Sequence, residues 1–316
     1  MRDDLDPEEQ DEEQEHEAKP PKSLLDALVR TRDDVQGARL RIGNRIGACE
    51  RSGWESAMLD TMRDLAAQLE TQEHSADRTI SKLVKTHPVW EAWLSSVRGI
   101  GESLAAPLLE YLDPTAPHIS CWYRYLGLHC DDDGDAAHKM RGEKAAWNHY
   151  LKTHCVFKIG GSFIKAGGFY RAEFDRVRAE LIARPAVERP IDRARLWILD
   201  EPIGTTKAGT LLDAAHYDKA RKALLAEGRT TVRVRRRPLH MMQMARRAAV
   251  KLFLSHLYAK WREVKGLPFD PPYAQARLGH TGYVPPPEAP APVVAAVKVR
   301  KVRAGKRADV EQAVAV

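Results

Sequence analysis

Asp131, Asp132, Asp133 and Asp135, with Gly134 among them, crowd four carboxylates into one short stretch. Clustered carboxylates suit hard cations, so metal chemistry is the first reading to test. An EF-hand counted from Asp131 needs glycine at its sixth position and a bidentate glutamate at its twelfth. Here glycine falls fourth and the twelfth position is Gly142. A two-metal nuclease gathers carboxylates from several elements, whereas these sit on one stretch, so a solvated acidic loop is expected. Softer ligands are available in His118, Cys121, His129, Cys130, His138, His149, His154 and Cys155. Their spacings match no common zinc finger, and Cys121 and Cys155 fall where helices are expected to bury them. With Cys49 the chain has four cysteines and no CxxC pair, which reads as reduced thiols. No metal, cofactor or catalytic residue is assigned, and the chain is expected not to be an enzyme.

The chemistry that the sequence supports better is electrostatic. The formal charge is +6, but residues 1–18 alone hold ten acids and one base, leaving 49 bases against 34 acids, a net +15, on the remainder. A body that positive attracts polyanions, nucleic acid above all. Its strongest block runs from Arg229 to Lys251, with eight bases and no acid. Arg233, Arg235, Arg236 and Arg237 lie on a strand-like or extended run. Arg246, Arg247 and Lys251 follow on a helix whose Met244, Val250, Leu254, Leu257 and Trp261 can face a core. A mixed-sign run is usual for a solvated face, so affinity for phosphate is the better account of this one. A second block, 138–165, reads as a helix from Gly142 to Lys165. Lys144, Asn148 and Lys152 recur there at steps of four and share a face, with Lys139 and Arg141 just before. The apolar Trp147, Leu151, Cys155 and Ile159 occupy a neighbouring face.

The third block is Arg98-Gly99-Ile100-Gly101 ahead of a helix that begins near Glu102 and Ser103. Two glycines allow a tight turn, and the bare N–H groups of a helix N-terminus attract phosphate oxygens. This is the helix-hairpin-helix arrangement. The same turn also joins packed helices with no ligand, and Glu102 counts against an anion.

The elements that must position these residues are nearly all helical. From Ser23 to about Thr86 the pattern is two long helices broken near Arg51, Ser52 and Gly53. Leu28, Val35 and Ile42 repeat at sevens, and Met58, Met62, Leu65 and Leu69 alternate at four and three, as in a coiled-coil seam. Such narrow stripes pack on each other or on a second copy of the chain. Shorter helices follow at 102–111, about 119–125, 142–165 and 169–183. An insertion or lid spans 184–237, with a helix at 212–226, and a last helix runs from 238 to about 265. The expected organisation is an acidic disordered tail at 1–22, coiled-coil helices at 23–87, and a helical nucleic-acid-binding domain at 88–268. A proline-rich, then basic, disordered tail covers 269–316, and six of its residues 298–307 are bases. The acidic tail could compete with nucleic acid for the basic body or simply keep the chain soluble. No apolar run approaches the ~18 residues of a membrane span, and the first residues are too acidic for a signal peptide. A cytoplasmic protein without membrane partners is expected.

Taken in order, "VRGIGESLAAPLLEYL", "WYRYLGL" and "RGEKAAWNHYLK" resemble the C-terminal domain of bridge-RNA transposases. They are still more similar to the Nop-domain proteins called Tas, which act with tandem interspaced guide RNAs in phages and bacteria. Gly142-Glu143-Lys144-Ala145, with His149, Leu151 and Lys152, is similar to a helix of the snoRNP Nop domain. "HMMQMARRAAVKLFLSHLYAKWRE" fits the closing helix of the Tas proteins. The resemblance covers about residues 88–268 and implies an all-α homodimer that holds a guide RNA and directs it to target DNA, with a separate nuclease as an optional partner. Sequence would then be read by base pairing and the protein would grip backbone and shape. The related transposases carry a nucleophilic serine after "LGL", where this chain has Asp133-Gly134-Asp135. Neither aspartate replaces that nucleophile, and residues 1–87 carry no RuvC-like or HNH pattern, so binding without cutting is implied. Two rivals stay open: a transposase-related enzyme acting through the 131–135 aspartates, and a helix-hairpin-helix DNA architectural protein that needs no RNA.

Overall fold

The computed structural model describes residues 21–130, 145–268 and 284–288. The acidic tail, the 131–135 aspartates, Lys139, Arg141, Lys144 and the basic tail lie outside them. Helix α1 (Leu24–Arg51) and helix α2 (Ser56–Lys85) form an antiparallel hairpin turned at Gly53, whose φ of 79° favours glycine. Ser23 caps α1 by accepting the Asp26 N–H at 3.0 Å, one of the orphan donors of a helix start.

The seam between the two helices differs from the expected stripes. Leu59, Ile80 and Val84 are buried, while Met58 and Leu65 are 64% and 47% exposed and so point away from the partner helix. The other stripe positions, Leu28, Val35, Ile42, Met62 and Leu69, are half-buried, and beside them the hairpin has a polar clasp. Glu73, itself buried, accepts Gln36 Nε2 at 2.8 Å, Arg39 Nε at 2.8 Å and Arg32 Nη2 at 3.1 Å. A buried carboxylate with three donors fixes the register of two otherwise slippery helices. Periodicity alone reports apolar positions and misses such a clasp.

Helix α3 (Pro88–Ala92) and a 3-10 turn (Leu94–Ser96) lead to the Gly-Ile-Gly turn and helix α4 (Glu102–Tyr111). Helix α5 (Ile119–Tyr125) follows. A continuous rod comes next: helix α6 (His149–Thr153), a π segment (His154–Ile159) and helix α7 (Gly160–Ala166). Leu151, Cys155, Ile159 and Phe163 of the rod are buried. Helix α8 (Phe169–Ala183) packs with the first half of the last helix, α10 (Pro238–Val264), through Phe174, Leu181, Ala245 and Ala249. The second half of α10 enters the main core through Val250, Phe253, Leu254, Leu257, Tyr258 and Trp261, beside Trp93, Leu108, Trp122 and Ile159. Each such side chain, fully buried, contributes roughly 1.5–3 kcal/mol. Arg262 is buried among them, its guanidinium donating to the carbonyls of Pro114 (2.7 Å), Ala116 (3.0 Å) and Pro268 (2.7 Å).

The fold is helix-dominated but not all-α. Between α8 and α10 stand strands β1 (Val187–Pro190), β2 (Ile198–Leu199) and β3 (Thr231–Arg235), in the antiparallel order β1-β3-β2, with helix α9 (Ala214–Ala226). Strict alternation makes β3 a strand: Val232 and Val234 enter a small core with Leu199, Ile203, Leu212 and Leu224, while Thr231, Arg233 and Arg235 face outwards. Of the proline-rich stretch past Leu267, residues 284–288 lie against the body. Among the described residues no helix is long and apolar enough to cross a membrane.

Candidate nucleic-acid interface

The rod and the middle of α10 bring four of the expected contact residues together: Lys152, Arg246, Arg247 and Lys251. Three of the four long stems have an aromatic support. Lys152 Nζ stands 4.2 Å above the Trp147 ring, and Lys251 Nζ 4.7 Å above the Tyr123 ring. The Arg246 guanidinium lies 5.7 Å from the ring of Phe157, which is 54% exposed. Aromatic faces attract cations and hold them in place. Tyr123 is itself held by donating its hydroxyl to the Lys251 carbonyl at 2.9 Å.

Glycine makes this geometry possible at one position. A Cβ on Gly160 would lie 2.6 Å from Arg246 Cγ and 3.2 Å from Val250 Cγ2, so α10 passes the rod only because that side chain is missing.

The cluster is electrostatically unfavourable by itself. Burial pulls Lys152 below the usual lysine range, and the neighbouring Arg247 adds to it. Burial does the same to Lys251, opposed by Cys130 and reinforced by Arg247. Arg247 is lowered chiefly by burial. No carboxylate of a described residue is among the charges acting on Arg247 or Lys251. The Nε atoms of Arg246 and of Arg237, at the start of α10, are buried with no described acceptor. Desolvated cations that repel one another favour whatever anion restores their solvation.

The other expected residues are placed differently. Helix does not begin at Gly142 among the described residues: 145–148 are non-helical and Asn148 is the N-cap of α6. Its Oδ1 accepts the Leu151 N–H at 3.0 Å and its Nδ2 donates to the Tyr125 hydroxyl at 3.1 Å. Of the expected strip, Lys144 lies outside the described residues and Asn148 is spent on the cap, because a capping side chain folds back on its own helix start. Arg233 and Arg235 do project from β3, but both pair with Asp200, Arg233 at 3.1 Å, which cancels half their charge. Arg236 lies 4.6 Å over Trp197, with Arg189 on the same ring at 4.5 Å. Cys121, expected buried, is exposed, whereas Cys155 is buried as expected. Among the described residues no three His, Cys, Asp or Glu side chains gather as metal ligands.

The Gly-Ile-Gly turn is a packed joint. Gly99 takes a φ of 94° and its carbonyl accepts the Ser162 hydroxyl at 2.5 Å; a Cβ there would meet Ala166 at 3.1 Å. Ile100 is buried, as its place in the turn predicts, and Arg98 is exposed with its stem over Gly168. The N-terminus of α4 beyond Gly101 already has its anion. The Glu102 carboxylate bonds its own backbone N–H, which holds it below the usual range, with Lys85 at 3.3 Å adding to the effect. Ser103 donates to Asp77 at 2.7 Å. The phosphate seat expected from the two glycines is occupied by the chain's own acids. Trp147, Tyr123 and Phe157 were not foreseen as part of the interface. Trp147, five residues before Lys152, carried a local signal, whereas Tyr123 and Phe157 meet Lys251 and Arg246 only across long stretches of chain.

Comparison of the chain with protein-family models, curated proteins and solved structures finds no match.

Proposed function

We propose that this chain is a non-catalytic protein that holds a guide RNA and directs it to target DNA, working as a homodimer. The observation that carries the reading is the basic patch around Arg247 and Lys251: burial lowers both cations, Arg247 acts on Lys251, Lys251 stands over Tyr123, and Arg246 beside them lies over Phe157. A backbone rich in phosphates is the ligand that relieves this arrangement, and a patch of plates and cations contacts backbone and shape in preference to base edges. The order of the three motifs that resemble Tas proteins makes RNA the phosphate backbone of choice. Apolar Leu40, Trp54, Met58 and Leu65 remain exposed on the α1–α2 hairpin, which supports pairing with a second copy there.

Glu102, whose carboxylate bonds a backbone N–H at the α4 N-terminus, counts against the RNA-independent reading, which rests on a phosphate there. The experiment that separates them is retention of a DNA duplex matching the co-purified RNA, before and after ribonuclease treatment. Loss of matched-duplex retention after ribonuclease supports guide use; equal retention contradicts it. Magnesium-dependent cutting that disappears on changing the 131–135 aspartates to alanine would contradict the non-catalytic part.

A further inference from the structure

Residues 284–288, Val-Pro-Pro-Pro-Glu, rest in a groove between the 3-10 turn at Leu94–Ser96, the start of α8 and the middle of α10. The Trp93 indole Nε1–H donates to the Pro287 carbonyl at 3.1 Å, and His256 Nε2 meets the Val284 carbonyl at 2.8 Å. A carbonyl only accepts, so Nε2 carries the His256 proton and Nδ1 accepts the Tyr170 hydroxyl at 2.9 Å. With the strap docked, Trp93, Tyr170 and His256 are 2%, 2% and 1% exposed, so the strap's carbonyls are what satisfies the two donors there. Ser96, Val97, Arg98, Phe169 and Tyr170 line the groove around Pro287 and Glu288.

The two accepting carbonyls are three residues apart, which is one turn of a polyproline II helix, about 9 Å of rise. Consecutive prolines set that conformation in advance, so docking it costs little chain entropy. Aromatic walls with donors aimed at carbonyls one turn apart are how proteins recognise such segments. The walls are also braced: Trp93 stacks on Phe253 at 6.2 Å, and Phe169 and Tyr170 lie against His256 at 5.9 and 5.8 Å.

We propose that the groove of Trp93, Arg98, Phe169, Tyr170 and His256 is a polyproline-recognition site whose resident ligand is the chain's own 284–288 segment. Its register is read by Trp93 and His256, and a proline-rich peptide of the same sequence competes for it. This stands apart from the nucleic-acid reading and does not depend on it.

The test uses the full chain with Val284→Ser, Pro285→Gly, Pro286→Ser, Pro287→Gly and Glu288→Ser, probed with a fluorescein-labelled peptide of residues 282–289. The freed groove is expected to bind the peptide saturably, at least about tenfold more tightly than the unmodified chain, whose tethered ligand acts at millimolar effective concentration. Adding Trp93→Phe, which keeps the ring and removes the donor, is expected to reduce that binding. No binding by a substituted chain of unchanged circular dichroism overturns the proposal. A second measurement needs no altered strap: deuterium exchange of the Trp93 indole N–H in the unmodified chain, assigned with Trp93→Phe. Slow exchange is expected, and exchange at the rate of an exposed indole overturns the proposal. Concentration-dependent protection would place the strap in a second copy's groove and overturn its assignment to the same chain.

Discussion

Replacing Arg247 and Lys251 together by glutamine removes two charges from the interface while keeping most of the stems that pack on the rod and on Tyr123. If both cations displace counterions from single-stranded RNA, the double variant's plot of log affinity against log salt becomes shallower by about 1.4. Between 50 and 200 mM salt the unmodified chain then loses about sevenfold more affinity than the variant does. Stability moves the other way. Both cations are held below their ordinary pKa by burial, so the fold disfavours their charge, and neutral amides raise the melting temperature. The assay is fluorescence anisotropy of a labelled RNA across that salt range, with a thermal melt of each protein. An unchanged salt slope would refute the interface. A lowered melting temperature would show the cations to be supports of the fold.

Two adjacent glycines give a paired test of the rod: Gly160→Ala drives a methyl into Arg246 Cγ at 2.6 Å, whereas Gly161 has open space. The first is expected to destabilise by about 1–3 kcal/mol, less the helix-propensity gain, and to weaken RNA binding. Gly161→Ala is expected to stabilise by about 0.5–1 kcal/mol in the same urea titrations. His154 donates Nε2–H to the Leu104 carbonyl at 2.9 Å, and burial lowers its pKa to about 4. The unfolded chain therefore takes up its proton first, and stability is lost as pH falls from about 6.5 towards 4. Between pH 7 and 4.5 this amounts to about 2 kcal/mol more loss than in His154→Gln, read from urea midpoints. Glu73→Ala takes the acceptor from Gln36 and Arg39 at the hairpin clasp, while Arg32 keeps Asp33 and Asp77, and is expected to cost about 1–3 kcal/mol, with the circular dichroism melt as its check.

Most of the helices were legible because their apolar spacing and their breakers agree: Gly53 ends one long helix, and Pro238 opens the last. The two valines of β3 announced a strand by alternation, but its partners β1 and β2 are four and two residues long and carry too little pattern to be read. Arg247 and Lys251 were legible as part of a basic run because no acid interrupts it. Tyr123, Phe157 and Gly160 were not legible, since they meet Lys251, Arg246 and Val250 of α10 across long stretches of chain. The misreading at Asn148 has a local cause: the same side chain suits a helix face and a helix cap, and only the chain's path at 145–148 decides between them. Glu102 was the one local hint that the glycine turn is a joint, and Asp77, its accomplice, comes from the distant α2.

The central claim is tested most directly by purifying the full chain from its native host and sequencing the RNA that accompanies it. The account predicts one discrete RNA of uniform length, derived from a repeat array and released only at high salt. A random sample of cellular RNA, or none, would contradict it.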